Sequence, residues 1–457
     1  MPSFNFFQHW YPLLPLEDIE PQKPTAATLL GIPLVIWKSG ADSTYQIFLD
    51  RCPHRLAPLS EGRIDESGNL MCSYHGWQFD RNGECQRIPQ AENPNLITKQ
   101  TSDPAPICGA VSFRTKGSRE RARNNFCVTV YPSRQENDLL WVWMDAETPE
   151  LAAKTDLPLS PQIDASKGFV WSSMVRDLAY DWQTLIENVA DPSHVPFAHH
   201  GIQGNRDRAM PIPLQMVTST MDLIQAEADK PFKTRITFEP PCRLEYEISF
   251  SGGDKRVGLI TYCLPVSPGK SRIVAQFARN FAPRLNKIIP RWWDHIRNRN
   301  AVLDGDMVLL HQQENFLQDT HWKTAYKMPT SADRLVIAFR KWFDLYCEGK
   351  LPWEEVGINP VRTKKISRKI LLDRYHQHTQ HCSSCRTALK RIKFLQWLLL
   401  AYFIVAITTV ALLPDSLRVS WGLWLGISAL FGLGVTGILR FWLMPQFYFV
   451  DYVHSDR

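Results

Sequence analysis

Two short stretches of the chain carry side chains suited to soft or borderline metals. Cys52-Pro-His54 is followed by Cys72-Ser-Tyr-His75, so each stretch offers one sulfur and one imidazole nitrogen. A set of two Cys and two His usually holds structural zinc, but zinc fingers pair Cys with Cys and His with His. The alternation found here suits a [2Fe–2S] cluster in which one iron takes both sulfurs and the other both nitrogens. Gly62 and Gly68 between the stretches, and Gly76 directly after His75, supply the tight turns such loops need.

A second group lies in Asp191-Pro-Ser-His194-Val-Pro-Phe-Ala-His199. Helical spacing would place Asp191 and His194 on one face, and Pro196 would let His199 swing back toward His194. Two imidazoles, a carboxylate and open positions make the facial site of non-haem Fe(II) oxygenases. The third ligand has to come from further along. The run Asn298 to Glu314 offers Asp306, seven positions before Gln313, with Asp304 as its rival and Glu314 as a more distant choice. A third group, Cys382-Ser-Ser-Cys385, follows His376, His378 and His381. It reads as a redox pair, as plain thiols, or as a zinc site with those histidines.

The elements that position these residues follow from hydrophobic patterning. Short β-like runs (Pro33–Trp37, Tyr45–Leu49, Leu139–Trp143) punctuated by turns predict an all-β region over residues 1–150. Residues 151–380 mix helix-like segments (Asp177–Ala190, Pro290–Phe316) with strands at Lys233–Phe238, Arg243–Phe250, Val257–Cys263 and Ser271–Phe277, an α+β pattern. Residues 381–457 are far more apolar: Phe394–Leu413 and Trp421–Leu439 are each long enough to cross a hydrocarbon core of about 30 Å. Pro414 to Arg418 joins them as a hairpin, and Lys390, Arg391, Lys393 and Arg440 flank it, which predicts both ends on the cytoplasmic side. Gly432, Gly434 and Gly437 match G-x-G-x-x-G but lie inside the second span, where they are packing glycines.

The 457 residues call for two or three domains, and 44% apolar residues with 16 Trp exclude a mainly disordered chain. A net charge of +6 is too small to make nucleic acid the expected partner. Ten Cys are too sparse for a disulfide framework.

The strings CPHR, CSYHGWQFD, GECQRIPQ and DPSHVPFAHH resemble Rieske-type non-haem iron oxygenases. With the late C-x-x-C and the terminal hairpin, they resemble most the group of pheophorbide a oxygenase, chlorophyllide a oxygenase, protochlorophyllide a oxygenase and the Rieske protein of the chloroplast inner-envelope translocon. The resemblance implies an α+β multidomain chain: an all-β Rieske domain, a helix-grip-like catalytic domain and a transmembrane hairpin. It implies a [2Fe–2S] cluster on Cys52, His54, Cys72 and His75, and a mononuclear Fe(II) on His194, His199 and Asp306. Asp191 would bridge that iron to a cluster His of a neighbouring subunit, in a homotrimer. Electrons would come from a ferredoxin-type donor with a separate reductase, and the substrates would be O2 and an amphipathic tetrapyrrole held near membrane lipid. Cys382 and Cys385 match the group's redox-sensitive pair. A missing transit peptide suggests a cyanobacterial thylakoid or plasma-membrane protein. The stretch from Asn95 to Asn125 is longer than the group's pattern, at a surface where a donor would dock. Two other readings stand beside the oxygenase: a redox-sensing, import-associated membrane protein, and an electron carrier with a vestigial second site.

Overall fold

The computed structural model describes residues 3–40, 44–93, 126–250, 254–317, 319–359 and 366–456. The long stretch from Asn95 to Asn125 lies outside them.

The N-terminal region is built of three small antiparallel sheets. Thr25–Leu29, Ile32–Lys38, Tyr45–Leu49 and Val130–Tyr131 form one, and Trp10–Pro15, Leu139–Trp143 and Ser133–Glu136 another. The third (Arg63–Ile64, Leu70–Met71, Gln78–Phe79, Cys85–Arg87) consists of very short strands, and the two Cys/His loops lie beside it. Val35, Trp37, Phe48, Leu59, Leu70 and Phe79 make a separate core that also takes in Cys52 and Cys72.

The following region is one seven-stranded antiparallel sheet. Its strands run Val170–Leu178, Lys270–Arg279, Arg256–Ser267, Arg243–Ser249, Lys233–Glu239, Ile224–Ala228 and Gln215–Ser219 across the sheet. Asp177 and Leu178, expected in a helix, are strand residues instead. Asp177 pairs across the sheet with Arg272, whose guanidinium meets its carboxylate at 2.6 Å. The helix starts only at Trp182 and ends at Ala190.

Trp182, Leu185, Ile186 and Ala190 recur at helical spacing and face the sheet. Trp182 packs against Phe339 and Phe343 of the helix Arg334–Cys347, which lies over the far end of the same sheet. The long helix Asn300–Leu317 follows a short one, Arg291–Asp294, through a π-helical turn, His295–Arg299.

Ser383–Leu412 and the run from Asp415 to Phe447 are long and apolar enough to cross a membrane. Most of their large apolar side chains point outward, Trp397, Trp424 and Phe441 among them. The pair is held together by close approach: Tyr402 reaches Ser428 at 2.6 Å, and a Cβ added at Gly432 would lie 3.7 Å from Leu399 and Tyr402. After the hairpin the chain returns to the soluble part. Phe449 forms a β-bridge with Asp373, and the Tyr452 ring lies buried against Gly305, where an added Cβ would meet it at 3.0 Å.

Candidate metal centres

The two Cys/His loops have the same backbone geometry. In each, the amide four residues after the Cys donates to the Cys carbonyl: Leu56 to Cys52 at 2.9 Å and Gly76 to Cys72 at 3.0 Å. In each, the Cys amide donates to a carbonyl five residues on, Ala57 or Trp77, at 2.8 and 2.9 Å. Both fourth residues are left-handed, with φ of +61° at Leu56 and +72° at Gly76. Glycine adopts that readily; Leu56 adopts it at a steric cost that the two hydrogen bonds offset.

The result is a polarised site. Cys52 and Cys72 are buried, whereas His54 is exposed and His75 half-exposed, their rings 4.4 Å apart. Trp77 stacks flat on His54 at 4.7 Å and fixes its plane. Burial, reinforced by the neighbouring Cys72, pushes the Cys52 thiol up to about 12. Such a sulfur becomes a thiolate at neutral pH only next to bound cationic charge, which an iron–sulfur group supplies. Two inner sulfurs and two outer nitrogens fit a [2Fe–2S] group with its nitrogen-ligated iron toward the surface.

The second centre is built by three elements. The helix Trp182–Ala190 ends at Asp191 because Pro192 forces the preceding residue out of the helical region, and Asp191 is extended at φ −98°, ψ 105°. Asp191 and His194 therefore share a turn, not a helical face. Pro196 is no interruption either: it stands in the first turn of the short helix Val195–Ala198, between the two histidines. The long helix adds Asp306. One ring nitrogen from each of His194 and His199 and one oxygen of Asp306 lie within 4.8 Å of one another. His199 Nε2 is 3.3 Å and His194 Nε2 3.8 Å from Asp306 Oδ1. His194 Nδ1–H donates to the Asp191 carbonyl at 2.5 Å, which leaves the Nε2 lone pair facing the centre. Burial keeps His199 below the usual imidazole range, and its buried Nδ1 has no hydrogen-bond partner among the described residues. Two imidazoles and a carboxylate fit a divalent iron with open positions. The Asn188 amide donates to Asp306 Oδ1 at 3.2 Å and holds that carboxylate toward the histidines.

Asn188, Asp191, His194 and Asp306 line a cavity of about 210 Å³ together with Leu309, Leu310, Gln313, Tyr326 and Val336. Gln313 donates to the Tyr326 hydroxyl at 2.9 Å, and that hydroxyl donates to Glu187 at 3.2 Å.

Residues 9–103 match the Rieske [2Fe-2S] domain, and residues 238–323 the pheophorbide a oxygenase family. The chloroplastic pheophorbide a oxygenase of Oryza sativa subsp. japonica is 34% identical, over 99% of this chain and 86% of its own. The chain belongs to the Rieske-type oxygenases of the pheophorbide a oxygenase group. Flavonoid 8-hydroxylase 2 of Ocimum basilicum is 33% identical, over 90% of this chain and 78% of its own. The fold is shared with NdmA of Pseudomonas putida CBB5, with a TM-score of 0.55 over 79% of this chain and 97% of that one at 22% identity.

As a Rieske oxygenase the chain carries a [2Fe–2S] cluster and a mononuclear iron. The structure separates the three carboxylates considered for that iron. Asp306 faces the two histidines. Asp304, two positions earlier, points away, its oxygens taken by Arg176 at 2.5 Å and Arg374 at 2.7 Å. Glu314 accepts the Asp181 amide at 2.6 Å. His311 is a buried histidine whose Nδ1–H donates to Ala179 at 2.7 Å, and His200 accepts the Arg206 amide at 3.1 Å.

Asp191 departs from expectation in one respect. Its carboxylate accepts from Ser193, through the amide at 2.7 Å and the hydroxyl at 2.5 Å, and lies 3.8 Å from His194 Nδ1. The backbone carbonyl, not the carboxylate, takes the imidazole proton. No local spacing marks Arg176, Arg374 or Tyr452, because their partners Asp304 and Ala198 lie far away along the chain.

Proposed function

We propose that this protein is a membrane-anchored Rieske oxygenase that uses O2 and electrons from a ferredoxin-type donor to oxygenate a chlorophyll-related tetrapyrrole. The observation that carries this reading is the meeting of His194, His199 and Asp306 beside an open cavity that His194 and Asp306 line, in a chain that also builds the sulfur-in, nitrogen-out loops of Cys52–His54 and Cys72–His75.

When bound, the two iron groups supply single electrons and open coordination positions for O2. The protein's own residues do the rest. Cys52, His54, Cys72 and His75 hold the cluster, with both imidazoles at the surface where an electron can enter or leave. His194, His199 and Asp306 hold the lone iron, and Asn188 and the Asp191 carbonyl orient two of them. Leu309, Leu310 and Val336 keep water from the reacting edge of the substrate.

The cavity is smaller than the roughly 300–1,000 Å³ that encloses a drug-sized ligand, so a macrocycle would enter by one edge with the rest outside. Exposed Phe197, on the short helix between the two histidines, and half-exposed Leu309 give that outer part an apolar rim. A membrane hairpin suits such a pigment, which partitions into lipid. Its basic flanks at Lys390, Arg391, Lys393 and Arg440 support a cytoplasmic placement of the soluble part. Asp191, whose side chain is 27% exposed, supports electron entry from the cluster of a second subunit in a homotrimer.

The test is incubation of membranes containing the protein with ferredoxin, its reductase, 18O-labelled O2 and candidate chlorophyll precursors and breakdown products, with a flavone in a parallel arm. Label in a tetrapyrrole product is expected. Label in the flavone alone would move the substrate class, and O2 uptake that ignores every substrate, with no mononuclear iron above the cluster's two, would favour an electron carrier.

A further inference from the structure

One group of metal-binding side chains plays no part in the oxygenase chemistry. His295, His378, Cys382 and Cys385 are all buried, and one donor atom from each lies within 4.8 Å of every other. They converge from three places. His295 opens the π-helical turn His295–Arg299 before the long helix, and His378 lies in a second one, Tyr375–Thr379. Cys382 caps the helix Ser383–Leu412, and Cys385 stands in its first turn. Both imidazoles thus come from π-turns, a feature frequent at functional sites. Sequence spacing drew attention to His376, His378 and His381; only His378 of these joins the thiols, and His295 arrives from far upstream.

We propose that these four residues hold a structural zinc ion, a closed Cys2His2 centre that fastens the first membrane-directed helix to the catalytic region. Tetrahedral zinc with bonds of about 2.05 Å to nitrogen and 2.3 Å to sulfur requires N···N near ~3.3 Å and N···S near ~3.6 Å. The observed separations are 3.1 Å for His378 Nε2 to His295 Nδ1, 3.6 and 3.7 Å from His295 Nδ1 to the two sulfurs, and 3.4 Å from His378 Nε2 to Cys385 Sγ. His378 donates its other ring proton to the Val175 carbonyl at 2.6 Å, so the Nε2 lone pair is the one turned inward.

The charges also balance. Binding releases two thiol protons, and two thiolates neutralise Zn²⁺, so the buried centre is neutral overall. Four protein donors leave no open position, which marks a structural and not a catalytic ion. Both thiols are free and fully buried, out of reach of a protein that exchanges disulfides at a surface. Around them, Ser383 donates its amide and hydroxyl to Asp18 at 2.8 and 2.9 Å, and Asp18 pairs with Arg291 at 2.6 Å. The ion therefore sits where the N-terminal segment, the approach to the long helix and the membrane hairpin meet.

The test uses the full chain purified in detergent. Elemental analysis should give about one zinc per chain beyond the iron, and zinc X-ray absorption should show two sulfurs near ~2.3 Å and two nitrogens near ~2.0 Å. Cys385→Ser should lower zinc at least about tenfold and leave the electron paramagnetic resonance signal of the reduced cluster unchanged. Should that variant fail to accumulate, the wild-type absorption spectrum decides by itself. Wild type with a full cluster but no zinc, a Cys382–Cys385 disulfide in the peptide mass, zinc retained in Cys385→Ser, or iron in this four-ligand position would each overturn the proposal.

Discussion

Asp304 and Asp306 show how a two-residue offset on one helix changes what a carboxylate does. Asp304 is fully buried between Arg176 and Arg374, and one of its oxygens meets each guanidinium. Asp304→Ala leaves two buried guanidinium groups short of their counter-charge and should cost about 3–5 kcal/mol, read as a lower thermal midpoint and poor accumulation. Asp306→Ala should instead lose the mononuclear iron while the cluster spectrum persists. His9 gives a separate handle on pH. It is partly buried and stacked on Phe4 at 4.7 Å, and burial lowers it from 6.5 to about 4. The unfolded chain thus takes up this proton first as pH falls. The contribution to stability is whole above pH 6.5 and shrinks between there and about 4. His9→Phe keeps the stack without the proton, so wild type should lose thermal stability relative to it across that window. Parallel melting curves of the two proteins would sink the assignment.

Among the elements, the segment after the hairpin is the least obvious support of the iron site. The Tyr452 hydroxyl donates to the carbonyl of Ala198 at 2.9 Å, next to His199, and its ring fills the space that Gly305 leaves beside Asp306. Two of the three iron-facing residues are therefore braced by the chain beyond the membrane helices. Tyr452→Ala should cost about 3 kcal/mol through the cavity it leaves. It should also reduce mononuclear iron per cluster, measured by metal analysis. Tyr452→Phe should cost only about 1 kcal/mol and keep the iron. Equal iron content in wild type and Tyr452→Ala would show that the tail is mere packing.

At the scale of the whole molecule, two metal groups must exchange electrons although one lies in the small β-sheets and the other beyond the seven-stranded sheet. The Asp191 carboxylate is oriented by Ser193 and partly exposed; in the proposed trimer it would meet an imidazole of another subunit's cluster. Asp191→Asn should fold, keep both iron groups and lose at least about tenfold in single-turnover rate, because a neutral amide accepts the imidazolium-like proton far less well. Rapid-quench measurement from a pre-reduced cluster checks this, and an unchanged rate would remove Asp191 from the electron path.

Local chemistry was legible along the chain. The Cys/His alternation, the DPSHVPFAH string, three β-runs and two uncharged apolar stretches each depend on neighbours within a few residues, where spacing and side-chain type are enough. Asp306 could be favoured over Asp304 by register, but only the approach of Arg176 and Arg374 shows what Asp304 does. The end of the helix at Ala190 was legible, but that Asp191 and His194 then share a turn was not, although Pro192 already bars a helical Asp191. His295 beside Cys382 and Cys385, and Tyr452 behind His199, could not be read at all. These contacts join residues far apart in sequence, and which of them meet is set by how the sheet, the π-turns and the returning tail pack, a property of the folded whole that no local pattern encodes.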